Sequence, residues 1–307
     1  MTAIPTDAEL ARSLDGDFTS SHAEVNGVRL HYVSGGSGAP LVLLGGWPQT
    51  WWQFHRIMPD LARNYHVIAV DIRGMGGSEK PGSGYDKRTM AADIRALVRH
   101  LGYDSVNITG HDIGAMVAYA FAANHPDAVR KLALVDVAHP DGNWESFTLL
   151  PGPGQKPNRE EGMTLAIDSV FLWWFAFNQI EGLPERLLAG RERILIDWLI
   201  HYQSKDPSRI GERDRDIYAH AYSTPEAVRA GNAWYQTFTR DIADERGYAP
   251  VSAPLLGLGA SGNYRVLNTV LPSKGHNVRV VEIPDSGHYI PEENPQAVIE
   301  HLTAFFQ

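Results

Sequence analysis

The chain has 307 residues, enough for one large α/β domain or for a core that carries an inserted subdomain. Its formal net charge of −9 argues against nucleic acid or an anionic membrane as the main partner. With no cysteine it has no disulfide framework, no thiolate chemistry and no zinc–cysteine site. The first residues, Met1 to Phe18, are polar and acidic and lack the apolar stretch of a signal peptide; no transmembrane run follows, so the cytoplasm is the expected location. Residues 20–34 predict a hairpin, with Asn26-Gly27 as its type I′ turn. Continuous apolar strands are predicted at Leu41 to Leu44, Val67 to Val70, Val106 to Ile108 and Leu132 to Val135, separated by amphipathic helical patterns such as Met90 to Leu101. Short buried strands alternating with helices imply an α/β fold with a mostly parallel central sheet. Each strand ends at residues suited to chemistry: Gly45-Gly46-Trp47-Pro48, Asp71-Ile72-Arg73-Gly74, Asp112 and Asp136. In open α/β sheets, that end is where ligands bind.

The pattern breaks over 140–248. That stretch holds no convincing strand, a loop at Pro151-Gly152-Pro153-Gly154, and helices dense in aromatics, as in Phe171-Leu172-Trp173-Trp174-Phe175 and Ala233-Trp234-Tyr235. The aromatic density favours a helical lid that walls an apolar pocket over a set of extra core helices. The core is thus read as 1–139 and 249–307, and the cap as 140–248. Strand and helix return at Leu255 to Leu258, Val278 to Ile283 and Pro295 to Phe306.

The segment Gly110-His111-Asp112-Ile113-Gly114-Ala115 carries the most specific chemistry. An apolar strand runs into small-X-Asp-X-small-small and then into the apolar face of a helix, the pattern of a nucleophile elbow. Gly110, Gly114 and Ala115 are small so that strand and helix backbones can pass. The side chain of Asp112 is then held at a helix N-terminus, where N–H groups favour an anion. A carboxylate in that place forms an alkyl ester with an sp3 carbon, whereas a serine would form an acyl ester. The alternative is an ordinary tight turn with Asp112 as a helix cap. His288, in Asp285-Ser286-Gly287-His288-Tyr289 just after the last strand, is the candidate base. In the lid, Tyr235 is placed to hold a phenol over Asp112, and Trp173 and Trp174 offer indole N–H donors. The run Gly74 to Ser78 reads as a Gly-rich turn shaping the floor of a site; it has neither the lysine nor the spacing of a phosphate cradle. No cofactor and no metal are expected.

Together these residues resemble the epoxide hydrolase and haloalkane/haloacetate dehalogenase branch of the α/β-hydrolases, over nearly the whole chain. The resemblance implies the α/β-hydrolase fold, helices on both faces of the sheet and an inserted helical lid. The family's His-Gly-X-Pro stands here as Gly45-Gly46-Trp47-Pro48, and its Gly-X-small-X-Ser/Thr as Gly74 to Ser78. It implies an oxyanion hole made by the backbone N–H groups of Trp47 and Ile113. The orienting acid has two known positions in this fold. The one after Leu255 to Gly259 reads Ala260-Ser261-Gly262-Asn263-Tyr264 and has no carboxylate, so Asp136 is assigned, with Asp141 as the fallback.

Three departures matter. Gly45 replaces the first histidine of the oxyanion loop, which removes a loop-orienting hydrogen bond. Fluoroacetate dehalogenases hold the substrate carboxylate with two arginines, matched here by Ile113 and Met116. The lid histidine of that branch is matched by Trp173, or by Trp174 with a one-residue slip. Trp173, Trp174, Tyr235, Ile113 and Met116 are therefore the expected substrate-binding residues. The leading reading is an epoxide hydrolase acting on a small apolar organic substrate with water. The alternatives are a dehalogenase, and a non-hydrolytic epoxide cyclase or ligand-binding protein of the same fold. A homodimer is compatible with all of these.

Overall fold

The computed structural model describes residues 4–147 and 172–307. After a short helix, Asp7–Arg12, opened by a Thr6/Glu9 capping box, come eight strands in chain order. They are β1 (Thr19–Val25), β2 (Val28–Gly35), β3 (Ala39–Leu44), β4 (Tyr65–Asp71), β5 (Val106–His111), β6 (Val129–Val135), β7 (Leu255–Ala260) and β8 (Val278–Ile283). All lie in one sheet, ordered β1-β2-β4-β3-β5-β6-β7-β8. The β1–β2 and β2–β4 pairs are antiparallel and the rest are parallel. Asn26 and Gly27 have φ of 49° and 72°, the two positive values that a type I′ turn requires.

The central strands are buried on both faces, so their alternate residues feed two different cores. Leu41, Leu43, Val67 and Ala69 pack with Met58, Leu61, Val298 and Leu302 on one face. Val42, Leu44, Ile68 and Val70 pack on the other with residues of helices Lys87–His100 and Ile113–Asn124. The strand order reverses at β3: the chain steps to β4 on one side and then crosses to β5 on the other. The carboxyl ends of β3 and β5 therefore open a crevice, and Gly46-Trp47 and Asp112 stand at its rim.

The described residues of 140–248 hold helices and turns and no strand. Its described helices are Trp173–Phe177, Leu183–Leu188, Glu192–Gln203, Glu212–Ala221, Pro225–Gln236 and Phe238–Glu245. The expected loop Pro151 to Gly154, and Phe171, lie outside the described residues. Buried polar contacts tie these helices to the rest of the chain. The Trp234 indole N–H donates to the Arg73 carbonyl at 2.9 Å. Lys87 is fully buried and meets the Asp241 carboxylate at 2.8 Å and the Trp234 carbonyl at 2.6 Å, so its charge is paired. No described helix is long and apolar enough to cross a membrane.

Candidate active site

The turn from β5 into helix Ile113–Asn124 sets Asp112 at φ 53° and ψ −123°, a strained backbone for a residue with a side chain. Only small neighbours allow it. A Cβ on Gly110 would stand 2.1 Å from the Gly114 carbonyl oxygen, and one on Gly114 would stand 2.1 Å from that of Leu44. The obstructing atoms are backbone and cannot rotate away. Gly114→Ala is therefore expected to destabilise the fold by at least about 2 kcal/mol, as overpacking of a rigid site does. A denaturant midpoint equal to that of the parent would contradict this account of the elbow.

The result of that geometry is a carboxylate held among donors. Trp47 N–H donates to Asp112 Oδ1 at 2.8 Å, and the Ile113 amide also bonds the carboxylate. His288 Nε2 lies 3.6 Å from Asp112 Oδ2, while its Nδ1 is 2.7 Å from Asp136 Oδ2. Asp136 follows β6 at φ 65° and is fully buried. It accepts the Ala260 N–H at 2.9 Å, and the Asn263 side-chain N–H also donates to it. Three residues distant in sequence thus meet in line: Asp112, His288, Asp136.

The loop carrying His288 is held from both sides of its peptide. Its N–H donates at 2.9 Å to the carbonyl of Gln203, the last residue of helix Glu192–Gln203, and its carbonyl is 2.8 Å from His111 Nε2. His111 Nδ1 in turn lies 2.7 Å from the Gln53 side-chain amide. That amide occupies the space a side chain at 45 would need, since a Cβ on Gly45 would stand 2.2 Å from Gln53 Nε2. Gly45 was expected to leave the loop short of a hydrogen bond; instead Gln53 reaches into that space and bonds to His111.

Electrostatics follow from this arrangement. Burial opposes a charge on His288, but the bonds to Asp112 and Asp136 outweigh it and raise its pKa to about 10. Burial also opposes the charge on Asp112, and the neighbouring His288, His111 and the Ile113 amide outweigh that and lower its pKa. His111 is pushed down to about 4 by burial and by His288, which keeps it neutral. The Tyr235 phenol is held well above its ordinary pKa by burial and the nearby Asp112 charge, so it is a protonated donor at neutral pH.

Above Asp112 lies a cavity of about 120 Å³, lined by Trp47, Met116, Trp174, Phe175 and Tyr235 among others, and by no lysine or arginine among the described residues. Trp174 and Tyr235 lie together on the wall of this cavity. Several expectations need correction here. Trp173 does not line this cavity. It faces a separate apolar hollow with Phe177, Leu187 and Trp198, because adjacent helix positions point about 100° apart. The Ile113 side chain is fully buried in the core, so only its backbone faces the carboxylate. Gly74 to Ser78 is not part of the cavity floor. It braces Asp71, through Gly77 N–H at 2.9 Å and Ser78 Oγ–H at 2.5 Å. Asp141 lines the cavity but is paired to Lys274 at 3.1 Å, with no contact to His288. Sequence reasoning missed Gln53, His111, Gln203 and Asn263. His111, next to Asp112, had a positional signal; the others are brought in only by the tertiary fold.

Residues 39–172 match the alpha/beta hydrolase fold family. The chain is 35% identical to the soluble epoxide hydrolase of Corynebacterium sp. (strain C12), over 94% of this chain and 98% of that protein. It is 41% identical to a fluoroacetate dehalogenase of Burkholderia sp, over 37% of this chain and 39% of that one. The ligand-free epoxide hydrolase CorEH superposes with a TM-score of 0.79 at 34% identity, covering 94% of this chain and 99% of the other.

Proposed function

This chain belongs to the α/β-hydrolase family, in the branch of epoxide hydrolases and haloalkane and haloacetate dehalogenases, and we propose that it is an epoxide hydrolase acting through a covalent aspartyl ester. The reading takes 1–139 and 249–307 as the core and 140–248 as the cap over the site. The observation that carries it is a low-pKa carboxylate, Asp112, in an apolar cavity beside a protonated phenol and a histidine–carboxylate pair.

Asp112 attacks an oxirane carbon, forms a C–O bond and opens the ring. The leaving alkoxide needs a proton, and the Tyr235 O–H supplies it. In the resting site His288 carries an extra proton; the Tyr235 phenolate regains a proton from solvent as His288 gives one up, so the step ends with a neutral phenol, a neutral His288 and a neutral ester. Ester formation also removes the negative charge of Asp112, one of the two groups that raise the His288 pKa. The base is thus released when it is needed. Neutral His288, oriented by Asp136, takes a proton from water; the hydroxide attacks the Asp112 carbonyl carbon, and the oxyanion forms against the N–H groups of Trp47 and Ile113. Collapse returns the carboxylate, the imidazolium and a vicinal diol.

Carbon–halogen cleavage is the second reading, favoured by the Trp174 indole N–H on the cavity wall, a donor that cannot accept. It leaves the His288 proton without a destination in the substrate. A small haloacid is the poorest fit, since no lysine or arginine lines the cavity among the described residues.

The deciding experiment offers styrene oxide, a brominated alkane and a haloacetate, following diol and halide, with Asp112→Ala as the blank. Diol that disappears in the variant supports the proposal. Halide without diol moves the assignment to a dehalogenase, and neither product moves it to a cyclase or ligand-binding role. Tyr235→Phe removes the proton donor and is expected to lower epoxide turnover by about 10²-fold, the usual scale for a general acid. Halide release should fall less, because halide leaves without a proton; equal loss on both substrates would count against Tyr235 as the acid.

A further inference from the structure

We propose that Asn263 is a positioning residue that pins the orienting acid, so that the end of β7 donates to Asp136 instead of supplying an acid of its own. The proposal rests on the covalent reading above. Asp136 is a fully buried carboxylate with lone pairs to satisfy. Its Oδ1 accepts the Ala260 N–H at 2.9 Å; its Oδ2 accepts His288 Nδ1–H at 2.7 Å and the Asn263 side-chain N–H. Two of the three donors come from the end of β7 and the first turn of the helix that follows it, Ser261–Val270.

That segment is the second place where this fold can carry its acid, and here it has no carboxylate. The contacts give a physical reason. A carboxylate at 263 would face Asp136 at hydrogen-bond range, and the two charges would repel. An amide of the same shape reverses the sign of the contact. It donates to Asp136, fixes the plane of its carboxylate, and so fixes His288 with Nδ1–H toward Asp136 and Nε2 toward Asp112. Asn263 is 6% exposed and lines the cavity, yet no hydrogen bond or ion pair joins it to Asp112. It therefore acts on the base and leaves the nucleophile alone.

The consequence is a split between the two halves of the reaction. Ring opening by Asp112 does not use the base; ester hydrolysis does. Asn263→Leu removes the donor at similar size, and Asn263→Asp keeps the shape while adding charge. With styrene oxide in rapid-mixing experiments, both variants should form the ester within about threefold of the parent rate. Both should break it down about 10- to 100-fold more slowly, the scale of one hydrogen bond lost from a charged group. The acid limb of kcat should move to higher pH, because an Asp136 with one donor fewer, or with a second anion beside it, holds the imidazolium proton more tightly. Unchanged ester breakdown and an unmoved limb overturn the proposal, as does an equal loss in both halves, which marks a merely structural residue. If Asn263→Leu fails to fold, Asn263→Asp carries the same readouts. His288→Gln is run in parallel: ester trapped there but unaffected breakdown in the Asn263 variants sinks this proposal alone, while no ester in His288→Gln sinks the covalent reading itself.

Discussion

Asp112→Ala is expected to lower epoxide turnover by at least about 10⁴-fold while leaving the protein folded, the scale seen when a covalent nucleophile is removed. Among the described residues no other group in the cavity can take its place. Asp136 is buried behind His288 and holds three donors, and Asp141 is paired with Lys274. The fold should survive because the elbow depends on Gly110 and Gly114, and because His288 keeps its bond to Asp136. In the proposed mechanism the carboxylate's own oxygen enters the first product. A single turnover of the parent enzyme in heavy-oxygen water should therefore yield diol carrying ordinary oxygen, with the label appearing in Asp112. Solvent oxygen in the diol of that first turnover would mean direct attack by water and would end the covalent mechanism.

His288→Gln should stop the cycle halfway. The amide still reaches Asp136, the carboxylate is free to attack, and one equivalent of substrate is consumed to leave a stable ester on Asp112. Steady-state turnover falls by about 10⁴-fold, as for loss of the base in other nucleophile–histidine–acid sites. Intact-protein mass should rise by the mass of one substrate, and full turnover by this variant would rule out His288 as the base. The pH profile adds a sign test. In the free enzyme burial lowers the His288 pKa, but Asp112 and Asp136 outweigh it and raise it to about 10. Hydrolysis needs the neutral ring after Asp112 has been esterified and one raising charge has gone. The acid limb of kcat should therefore lie well below pH 10, with activity falling as pH drops through it. An acid limb at or above 10 would show that ester formation does not release the base.

Much of this molecule was legible in the chain because short-range rules govern it. Asn26-Gly27 specifies a turn with two positive φ values, and the structure has them. The apolar runs at 41–44, 67–70, 106–108 and 132–135 all lie inside strands of the parallel part of the sheet. Gly110-X-Asp112-X-Gly114 announces an elbow because only hydrogen side chains let β5 pass its own helix and β3. Those are steric facts about neighbours in sequence, and they were enough to place Asp112, His288 and Asp136 at strand ends.

What the chain alone left open was settled by packing between distant segments. Trp173 and Trp174 are adjacent letters of equal chemistry; which one meets Tyr235 depends on how a short helix is rotated against the core, and that brings Trp174 to the cavity. Gly45 looked like a lost hydrogen bond, and the side chain that fills its space, Gln53, comes from the 3₁₀ turn Trp51–Phe54. The stretch 260–264 looked like a vacancy; it is the pair of donors, Ala260 and Asn263, that holds an acid 124 and 127 positions earlier in the chain. Local sequence determined where the backbone turns tightly and which atoms could react. Only the tertiary structure decided which buried donors face those atoms, because satisfying a buried charge depends on whatever the fold brings within about 3 Å, however far apart in the chain.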